Sequence, residues 1–525
     1  MAALTSSRPG PGPRPRLSRR LLTSPDFIPP PALHAPDRSL LDLPERAVQF
    51  GTGGFLRGFV DFFVDAANRQ GRFLGRIVAI SSTGSVRDRS LNEQDGFYTL
   101  VVQGVEAGQA KQEHRIIASV SRAVSAPNDW NSVLRLAHNP DLELVFSNTT
   151  EVGIAADPSD SASSCPPRSF PGKLTRFLFE RAQHFDFALD RGVVVVPCEL
   201  IENNGDRLRE IVMAVSDQWD LGGAFTDWLE RAVPFCNTLV DRIVTGAPNA
   251  MQREELGSFL GYRDELITVC EPYRQFVIEA DESTRGRIGF ASSDPAILLT
   301  TDVTPYRERK VRLLNGAHTI LVPIALMCGC RTVFDAVRDD AVGQFIRLAM
   351  FDEIAPTVDA PGADEFAEHV IDRFANPFIE HVLSDISLHG TTKMRVRVVP
   401  SIVGYTERNG RFPPSLTFGF AAYLLFMRGD LSISRARDGL PAPRDDAGDS
   451  VRAAWASVSG SGDSALSGFV HQICSDISLW GADLSLLPGF HAAVADDLAA
   501  IIRDGARRAL EEHLAEQLNP SVPSA

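Results

Sequence analysis

Residues Arg46-Ala-Val-Gln-Phe-Gly-Thr-Gly-Gly-Phe-Leu-Arg-Gly58 join a short apolar run to a glycine turn and then to a helical pattern. The run from Arg46 to Phe50 predicts a strand. The segment from Leu56 to Gln70 predicts a helix, because its apolar side chains recur on one helical face. The sequence therefore predicts a strand, a tight turn and a helix in direct succession.

This glycine turn has the context of a dinucleotide-binding site. Glycine permits the tight turn and the close approach of a pyrophosphate, and the start of a helix attracts negative charge. The third glycine of the usual pattern is replaced by Leu56, so a purely structural turn is the alternative. The candidate cofactor-binding residues are Gly51, Gly53, Gly54, Phe55, Leu56 and Arg57, together with Glu151, which is equally a turn acid at the end of a later strand.

The end of the second predicted strand, Arg76–Ser81, bears on which cofactor is bound. An acid at this position commonly binds the ribose of NAD. None stands at the tip, and Arg87 with nearby serines could bind a 2′-phosphate. The sequence predicts NAD and leaves NADP open.

The rest of the chain has two kinds of sequence pattern, one before and one after about residue 310. Further apolar runs at Leu142–Phe146 and Val193–Pro197 alternate with amphipathic stretches, which is typical of a parallel sheet covered on both faces. Beyond about Lys310, long helical patterns dominate. The predicted fold is α/β: a Rossmann-like doubly wound domain over residues 45–305, then a mostly α-helical domain over 306–515 and a tail over 516–525. Residues 1–44, rich in Pro and Arg, are predicted to be a disordered extension, with an organelle transit peptide as the alternative.

Composition and charge exclude several classes of protein. The chain has 525 residues, 44% hydrophobic and 23% charged, with a formal net charge of −15. A broad nucleic-acid surface is not expected on so acidic a chain, and no apolar stretch approaches the roughly 20 residues of a membrane helix. The seven cysteines form no metal or disulfide pattern, so we expect reduced thiols, no metal and a cytoplasmic location. Oligomeric state is not predicted.

Lys310, Asn315 and His318 begin the helical half. At about 100° per residue, Asn315 and His318 lie within about 60° of each other on a helix, and the long side chain of Lys310 can reach them. An amine, an amide and an imidazole form a plausible proton-transfer set. A helix start with a core histidine is an equal alternative from spacing alone.

With this motif the sequence resembles the long-chain mannitol dehydrogenase family of polyol oxidoreductases, and within it the branch that acts on hexuronates. The similar stretches, in order along the chain, are 49–57, 94–98, 146–154, 197–205, 236–246 and 305–319. The resemblance implies a nicotinamide-dependent enzyme that needs no metal and interconverts D-tagaturonate and D-altronate. The alternatives are fructuronate/mannonate or mannitol as substrate in the same family, or a non-catalytic dinucleotide sensor.

The resemblance also implies residue roles. Lys310 would be the general acid/base, Asn315 would hydrogen-bond the reacting oxygen, and His318 would orient substrate and lysine. Asp241 would face the substrate, although pairing with Arg242 or helix capping is the alternative without the resemblance. Arg373 would be a further substrate contact.

One departure from the family and one feature of the substrate add candidates. Polyol dehydrogenases of the family have Cys-Asp-Asn where this chain has Cys198-Glu-Leu200, and Asn203 or Asn204 could replace the missing amide. A hexuronate carries a carboxylate, which favours a bidentate arginine. Arg373, Arg312 and Lys393 are the candidates, with a solvated surface charge as the alternative for the last two.

Overall fold

The computed structural model describes residues 14–82, 86–149, 153–429, 444–456, 458 and 463–518. Two compact units divide the chain. The first extends to Gln103 and resumes over Ala110–Val303, and the second comprises Gly104–Gln109 and Thr304–Ala525. The sequence predicted this change at residue 305.

A five-stranded sheet stands at the centre of the described part of the first unit. All of its strands run parallel. Their spatial order is Val120–Ser125, Arg76–Ser81, Glu45–Phe50, Leu144–Ser147 and Val194–Pro197. The predicted doubly wound arrangement is confirmed.

The strands are covered on both faces because alternate side chains enter two separate cores. Val48 and Phe50 pack on one side with Val78 and Ile80. Ala47 packs on the other side. The central strand, Glu45–Phe50, lies between the second and a later strand in chain order, so the connections leave it in opposite directions. Such a switch point opens a crevice at the carboxyl ends of the strands, where the glycine turn lies.

Two smaller sheets, neither of which was predicted, are formed mainly by residues of the first unit. One mixed sheet contains, in spatial order, Leu33–His34, Gln109–Ile117, Tyr98–Glu106, Thr268–Cys270 and Val244–Gly246. The other contains Ile297–Thr300, Gln275–Glu279 and Thr238–Asp241. The α-helices of the unit span Arg19–Thr23, Gly54–Gly58, Val60–Arg69, Val86–Glu93, Trp130–Leu136, Phe170–His184, Asn204–Gln218, Gly223–Ala232, Ala250–Leu260 and Glu282–Arg285.

The prediction of a disordered extension over residues 1–44 is wrong for residues 14–44. Leu17, Leu33 and Leu41 are buried in a core that includes Tyr262. Leu33–His34 also pairs in parallel with the strand Gln109–Ile117. The high proline content of this segment favoured the prediction of disorder, although its widely spaced leucines pack in this core. Residues 1–13 lie outside the described residues.

The second unit is helical, as predicted. Its α-helices span Thr304–Arg309, Ala317–Met327, Val333–Arg338, Asp340–Leu348, Ala363–Phe374, Leu383–Ile386, Gly390–Lys393, Val399–Asn409, Pro414–Met427, Asp449–Ala456, Asp463–Cys474, Ile477–Trp480, Phe490–Asp504 and Ala506–Leu518. Three π-helical segments interrupt them, at Lys310–Gly316, Ala349–Ile354 and Met394–Val398. Within the described ranges, no helix is both long and apolar enough to cross a membrane.

Candidate active site and cofactor site

The backbone conformation of the turn requires glycine at Gly51 but not at Gly53. Gly51 adopts φ +139°, and its N–H donates to the carbonyl of Ile80 at 2.8 Å. A Cβ at Gly51 would lie 2.9 Å from Leu56 Cδ1, so the turn requires glycine there. At Gly53, by contrast, a Cβ would meet no atom within 4 Å. The backbone of Gly53 therefore borders open space.

The backbone beside this open space is accessible over three consecutive residues. Gly53, Gly54 and Phe55 are half-buried and lie at the carboxyl end of the central strand. The first N–H groups of a helix have no partner within it, so those of the segment beginning at Gly54 are available to phosphate oxygens. The absence of a side chain at Gly53 keeps the approach clear.

The side chains of Leu56 and Arg57, both predicted to bind the cofactor, are directed into the protein interior. Leu56 is buried in the core. The Arg57 guanidinium is also buried and donates to the carbonyl of Thr52 at 2.6 Å and to Thr268 Oγ1 at 3.0 Å. Arg57 thus braces the turn from inside.

A buried polar pair beneath the turn was not predicted. The Tyr98 hydroxyl lies 2.9 Å from Asp61 Oδ2 and 2.8 Å from the carbonyl of Arg57. Burial raises the pKa of Asp61 to about 7, against the opposing effect of the Tyr98 hydrogen bond. The sequence signal for this buried pair was that Asp61 and Tyr98 are polar residues within apolar runs.

Two loops at the same edge of the sheet are joined by Glu199. This buried carboxylate accepts hydrogen bonds from Ser147 Oγ at 3.1 Å and from the backbone N–H of Thr149 at 2.9 Å. Burial raises the pKa of Glu199. Glu151 lies outside the described residues, as do Thr83–Ser85 at the tip of the second strand.

Asn204 does not face a ligand, contrary to its prediction as a substrate-binding residue. Its side chain is fully buried. Its amide nitrogen lies within 3.1 Å of the carbonyls of Pro197 and Glu199 and 3.0 Å from Thr238 Oγ1, and its oxygen accepts from the Thr238 N–H at 2.9 Å. Asn204 therefore links the end of the strand Val194–Pro197, and the loop after it, to the start of the strand Thr238–Asp241. Asn203, its neighbour, is exposed in a left-handed conformation.

Asp241 ends the strand Thr238–Asp241 and is buried. The alternative pairing with Arg242 is not observed, because the Arg242 guanidinium donates to the carbonyls of Glu271 at 3.0 Å and Gly58 at 2.8 Å. The element that follows Asp241 is the strand Val244–Gly246, so Asp241 does not cap a helix.

In the helical unit, Lys310 and Asn315 belong to the π-helical segment Lys310–Gly316, and His318 lies in the following helix. All three side chains are half-buried. Hydrogen bonds in a π-helix join residues five apart. Lys310 and Asn315 have this separation, so the segment brings them to one face.

His318 is held as a neutral ring with one nitrogen unsatisfied. Its Nδ1 lies 3.0 Å from the carbonyl of Leu314, which makes Nδ1 the donor. Its Nε2 is buried and has no hydrogen-bond partner among the residues described. Burial, together with the charge of Arg373, lowers the pKa of His318 to about 3. The ring therefore offers a lone pair at neutral pH.

Several further groups surround this histidine. The His318 ring packs on Phe374, with centroids 4.2 Å apart, and meets His381 edge-on at 6.0 Å. Arg373 is buried on the helix Ala363–Phe374, and its charge also lowers the pKa of His381, after burial. Asn376 is buried with its amide nitrogen unpartnered in the described part of the chain. The structure thus brings the predicted Arg373 to His318 and adds His381.

The other two predicted carboxylate ligands, Arg312 and Lys393, donate hydrogen bonds within the helical unit. The buried Arg312 guanidinium donates to Ser401 Oγ at 3.0 Å and to the carbonyl of Thr357 at 2.9 Å, among other internal bonds. Lys393 Nζ donates to the carbonyl of Ile386 at 2.8 Å. Neither side chain is a solvated surface charge, and both tie together neighbouring helices of the unit.

Comparison with known proteins agrees with this architecture. Residues 45–291 match the mannitol dehydrogenase Rossmann domain, and residues 302–505 match the mannitol dehydrogenase C-terminal domain. The chain is 42% identical over 472 residues to an altronate oxidoreductase of Cronobacter sakazakii, covering 89% of this chain and 96% of the relative. It is 40% identical over 472 residues to an altronate oxidoreductase of Bacillus subtilis, covering 90% and 95%.

Solved structures share the fold at lower identity. A substrate-free D-sorbitol dehydrogenase superimposes with a TM-score of 0.76 at 22% identity, covering 94% of this chain and 100% of the other. A Pseudomonas fluorescens mannitol 2-dehydrogenase, in ternary complex with NAD and D-mannitol, gives a TM-score of 0.63 at 23% identity, covering 95% and 100%. Both halves of this chain are thus matched in order, and the chain belongs to the mannitol dehydrogenase family.

Proposed function

We propose that this chain is an oxidoreductase that interconverts D-tagaturonate and D-altronate with a nicotinamide dinucleotide. The observation that carries the proposal is the similarity, at 40–42% identity over about nine-tenths of the chain, to altronate oxidoreductases of several bacteria. The substrate is a small sugar acid. The seven cysteines are free thiols, which suits the reducing cytoplasm that we propose as its location.

We propose that the glycine turn holds the cofactor, with NAD preferred and NADP as the alternative. The open space at Gly53 and the half-buried backbone of Gly54 and Phe55 support this role. When bound, the cofactor supplies hydride to the ketone carbon, or accepts it in the reverse direction.

The proposed role of Lys310 is to exchange the proton. As hydride reaches the ketone carbon, the carbonyl electron pair moves onto oxygen, and Lys310 Nζ releases a proton to that oxygen. Asn315 would donate a hydrogen bond to the same oxygen as its charge grows, an interaction worth about 3–4 kcal/mol in comparable sites. In the oxidative direction a neutral Lys310 would remove the hydroxyl proton.

His318 would position the reacting groups. Its unsatisfied Nε2 can accept a hydrogen bond from a substrate hydroxyl or from the ammonium of Lys310. Its low pKa keeps this lone pair available at neutral pH. We propose Asp241 and Arg373 as further substrate contacts, supported by the family resemblance and, for Arg373, by its proximity to His318.

The experiment is an absorbance assay of the reduced nicotinamide, with D-altronate, D-mannonate and D-mannitol, each with NAD and NADP. We expect the highest kcat/KM with D-altronate and NAD. Mannitol turnover well above that of altronate would overturn the substrate assignment. Cofactor binding without turnover of any of these compounds would favour a sensor.

A Lys310→Ala variant tests the proton-transfer role. We expect kcat to fall by at least about 100-fold, since general acid–base catalysis typically contributes that much, with cofactor affinity nearly unchanged. Unchanged turnover would end the assignment.

A further inference from the structure

Arg397 is a half-buried cation that the described residues leave without a partner. It lies in the π-helical segment Met394–Val398. Its carbonyl oxygen would be 2.9 Å from a Cβ at Gly316, so this segment touches the one that carries Lys310 and Asn315. No hydrogen bond or ion pair joins the Arg397 guanidinium to any other described residue.

The lack of a partner separates Arg397 from its neighbours. Arg312, on the facing π-helical segment, is saturated by internal hydrogen bonds. Arg395, two residues before Arg397, is exposed and donates to the carbonyl of Ser478. A partly desolvated charge is costly unless an opposite charge compensates it. Among the described residues, no acid compensates the charge of Arg397.

The acid Asp445 acts on the neighbouring Lys393 but not on Arg397 itself. The charge of Arg397 acts on His318 and on Lys393, and in both cases it lowers the pKa of the neighbour. Arg373 acts on His318 in the same direction. Burial alone lowers the pKa of Arg397, with no acid opposing it. Two arginines thus approach the neutral His318, and the ligand that this arrangement suits is an anion.

We infer that Arg397 binds the carboxylate of the hexuronate and selects it over a neutral polyol or ketose. The inference rests on the proposed function, since it assumes a sugar acid bound beside His318. The planar guanidinium can donate two parallel hydrogen bonds to a carboxylate, which a hydroxymethyl group cannot accept in the same way.

The test compares Arg397→Gln with the wild type and with Arg395→Gln as the matched control on the same segment. The substrates are D-tagaturonate and D-tagatose, which has a hydroxymethyl group in place of the carboxylate. We expect Arg397→Gln to raise KM for D-tagaturonate by about 10- to 100-fold, the loss of one charged hydrogen-bonded pair. Its kcat, and its kcat/KM for D-tagatose, should stay within about threefold of wild type.

Arg395→Gln should change none of these values. Arg397→Lys, which keeps the charge, should recover part of the lost affinity and serves if the glutamine variant does not fold. Equal losses with both substrates would show a structural role for Arg397, and an unchanged KM for D-tagaturonate would also overturn the inference.

Binding of D-altronate by calorimetry separates this inference from the proposed function. If the wild type binds D-altronate without turnover and Arg397→Gln weakens that binding, the proposed function fails and the inference stands. If the wild type turns over D-tagaturonate and Arg397→Gln does so with the same KM, only the inference fails. A wild type that neither binds nor turns over a hexuronate refutes both.

Discussion

Replacing Gly53 by alanine should separate cofactor binding from folding. Gly53 has φ −69° and ψ 163°, a conformation open to alanine, and its Cβ would meet no atom within 4 Å. The substitution therefore brings no strain and restricts the unfolded chain. Alanine is a poorer N-cap than glycine but restricts the unfolded chain, so we expect the two effects to offset each other and the free energy of unfolding to stay within about 1 kcal/mol of wild type.

The same methyl group would occupy the space proposed for the pyrophosphate. Moving the phosphates away from the turn would break at least one hydrogen bond between a backbone N–H and a charged oxygen. Such a bond contributes about 1.5–3 kcal/mol, so the Kd for the dinucleotide should rise by about 10- to 150-fold.

The assay titrates NADH against wild type and Gly53→Ala by fluorescence, alongside urea unfolding of both. Gly51→Ala is the matched control: at φ +139°, with its Cβ 2.9 Å from Leu56 Cδ1, it should lose about 1–3 kcal/mol of stability. An unchanged Kd for Gly53→Ala would refute the cradle. A loss of more than about 2 kcal/mol in that variant, beyond what a poorer N-cap explains, would show that the space beside Gly53 is not open.

Three further substitutions test other parts of the structure. Since the pKa of His318 is about 3 in the folded protein and about 6.5 when unfolded, the unfolded state binds more protons below pH 6.5. In urea unfolding, the free energy of unfolding of the wild type should therefore fall by about 2 kcal/mol more than that of His318→Gln between pH 7.5 and pH 5. An equal fall in both proteins would contradict the neutral state of the folded His318 ring. Asn204→Ala should cost about 2–4 kcal/mol by leaving its buried partners unsatisfied, whereas a higher KM for altronate without loss of stability would restore the residue to the substrate site. Gly419→Ala, whose Cβ would lie 2.4 Å from Ile320 Cγ1, should destabilise by about 1–3 kcal/mol in thermal unfolding, while Gly404→Ala, at an ordinary 3.6 Å from its neighbour, should not.

The sequence predicted four of the five strands of the parallel sheet because each contains a nearly continuous apolar run, whereas the fifth strand, Val120–Ser125, includes Ser121 and Arg122 and was missed. Arg76–Ser81 is buried along its whole length, and continuous runs of this kind are read directly. Several strands of the mixed sheet gave no clear signal because they are short, as in Leu33–His34, or polar over much of their length, as in Gln109–Ile117. Pairing between segments far apart in the chain, such as Leu33–His34 with that strand, has no local signal at all.

The sequence constrains a residue most where backbone conformation decides what can stand there, and least where a side chain has a choice of partners. Gly51 and Gly53 are identified by the turn itself. Arg57, Arg312 and Asn204 are polar residues beside functional motifs, but each is directed inward to satisfy buried carbonyls. The spacing of residues along the sequence does not distinguish an arginine that binds a ligand from one that stabilises a loop by internal hydrogen bonds.

The π-helical segment Lys310–Gly316 decides how Lys310 and Asn315, five residues apart, are placed relative to each other. In an α-helix, five residues turn through about 500°, so Lys310 and Asn315 would be about 140° apart, on nearly opposite faces. The wider turn, with hydrogen bonds between residues five apart, sets one above the other. His318 then follows in regular α-helix, three residues beyond Asn315 and on the same face. The amine and the amide thus owe their shared face to a backbone irregularity, and a substitution that restored regular α-helix over Lys310–Gly316 would separate them without changing either side chain.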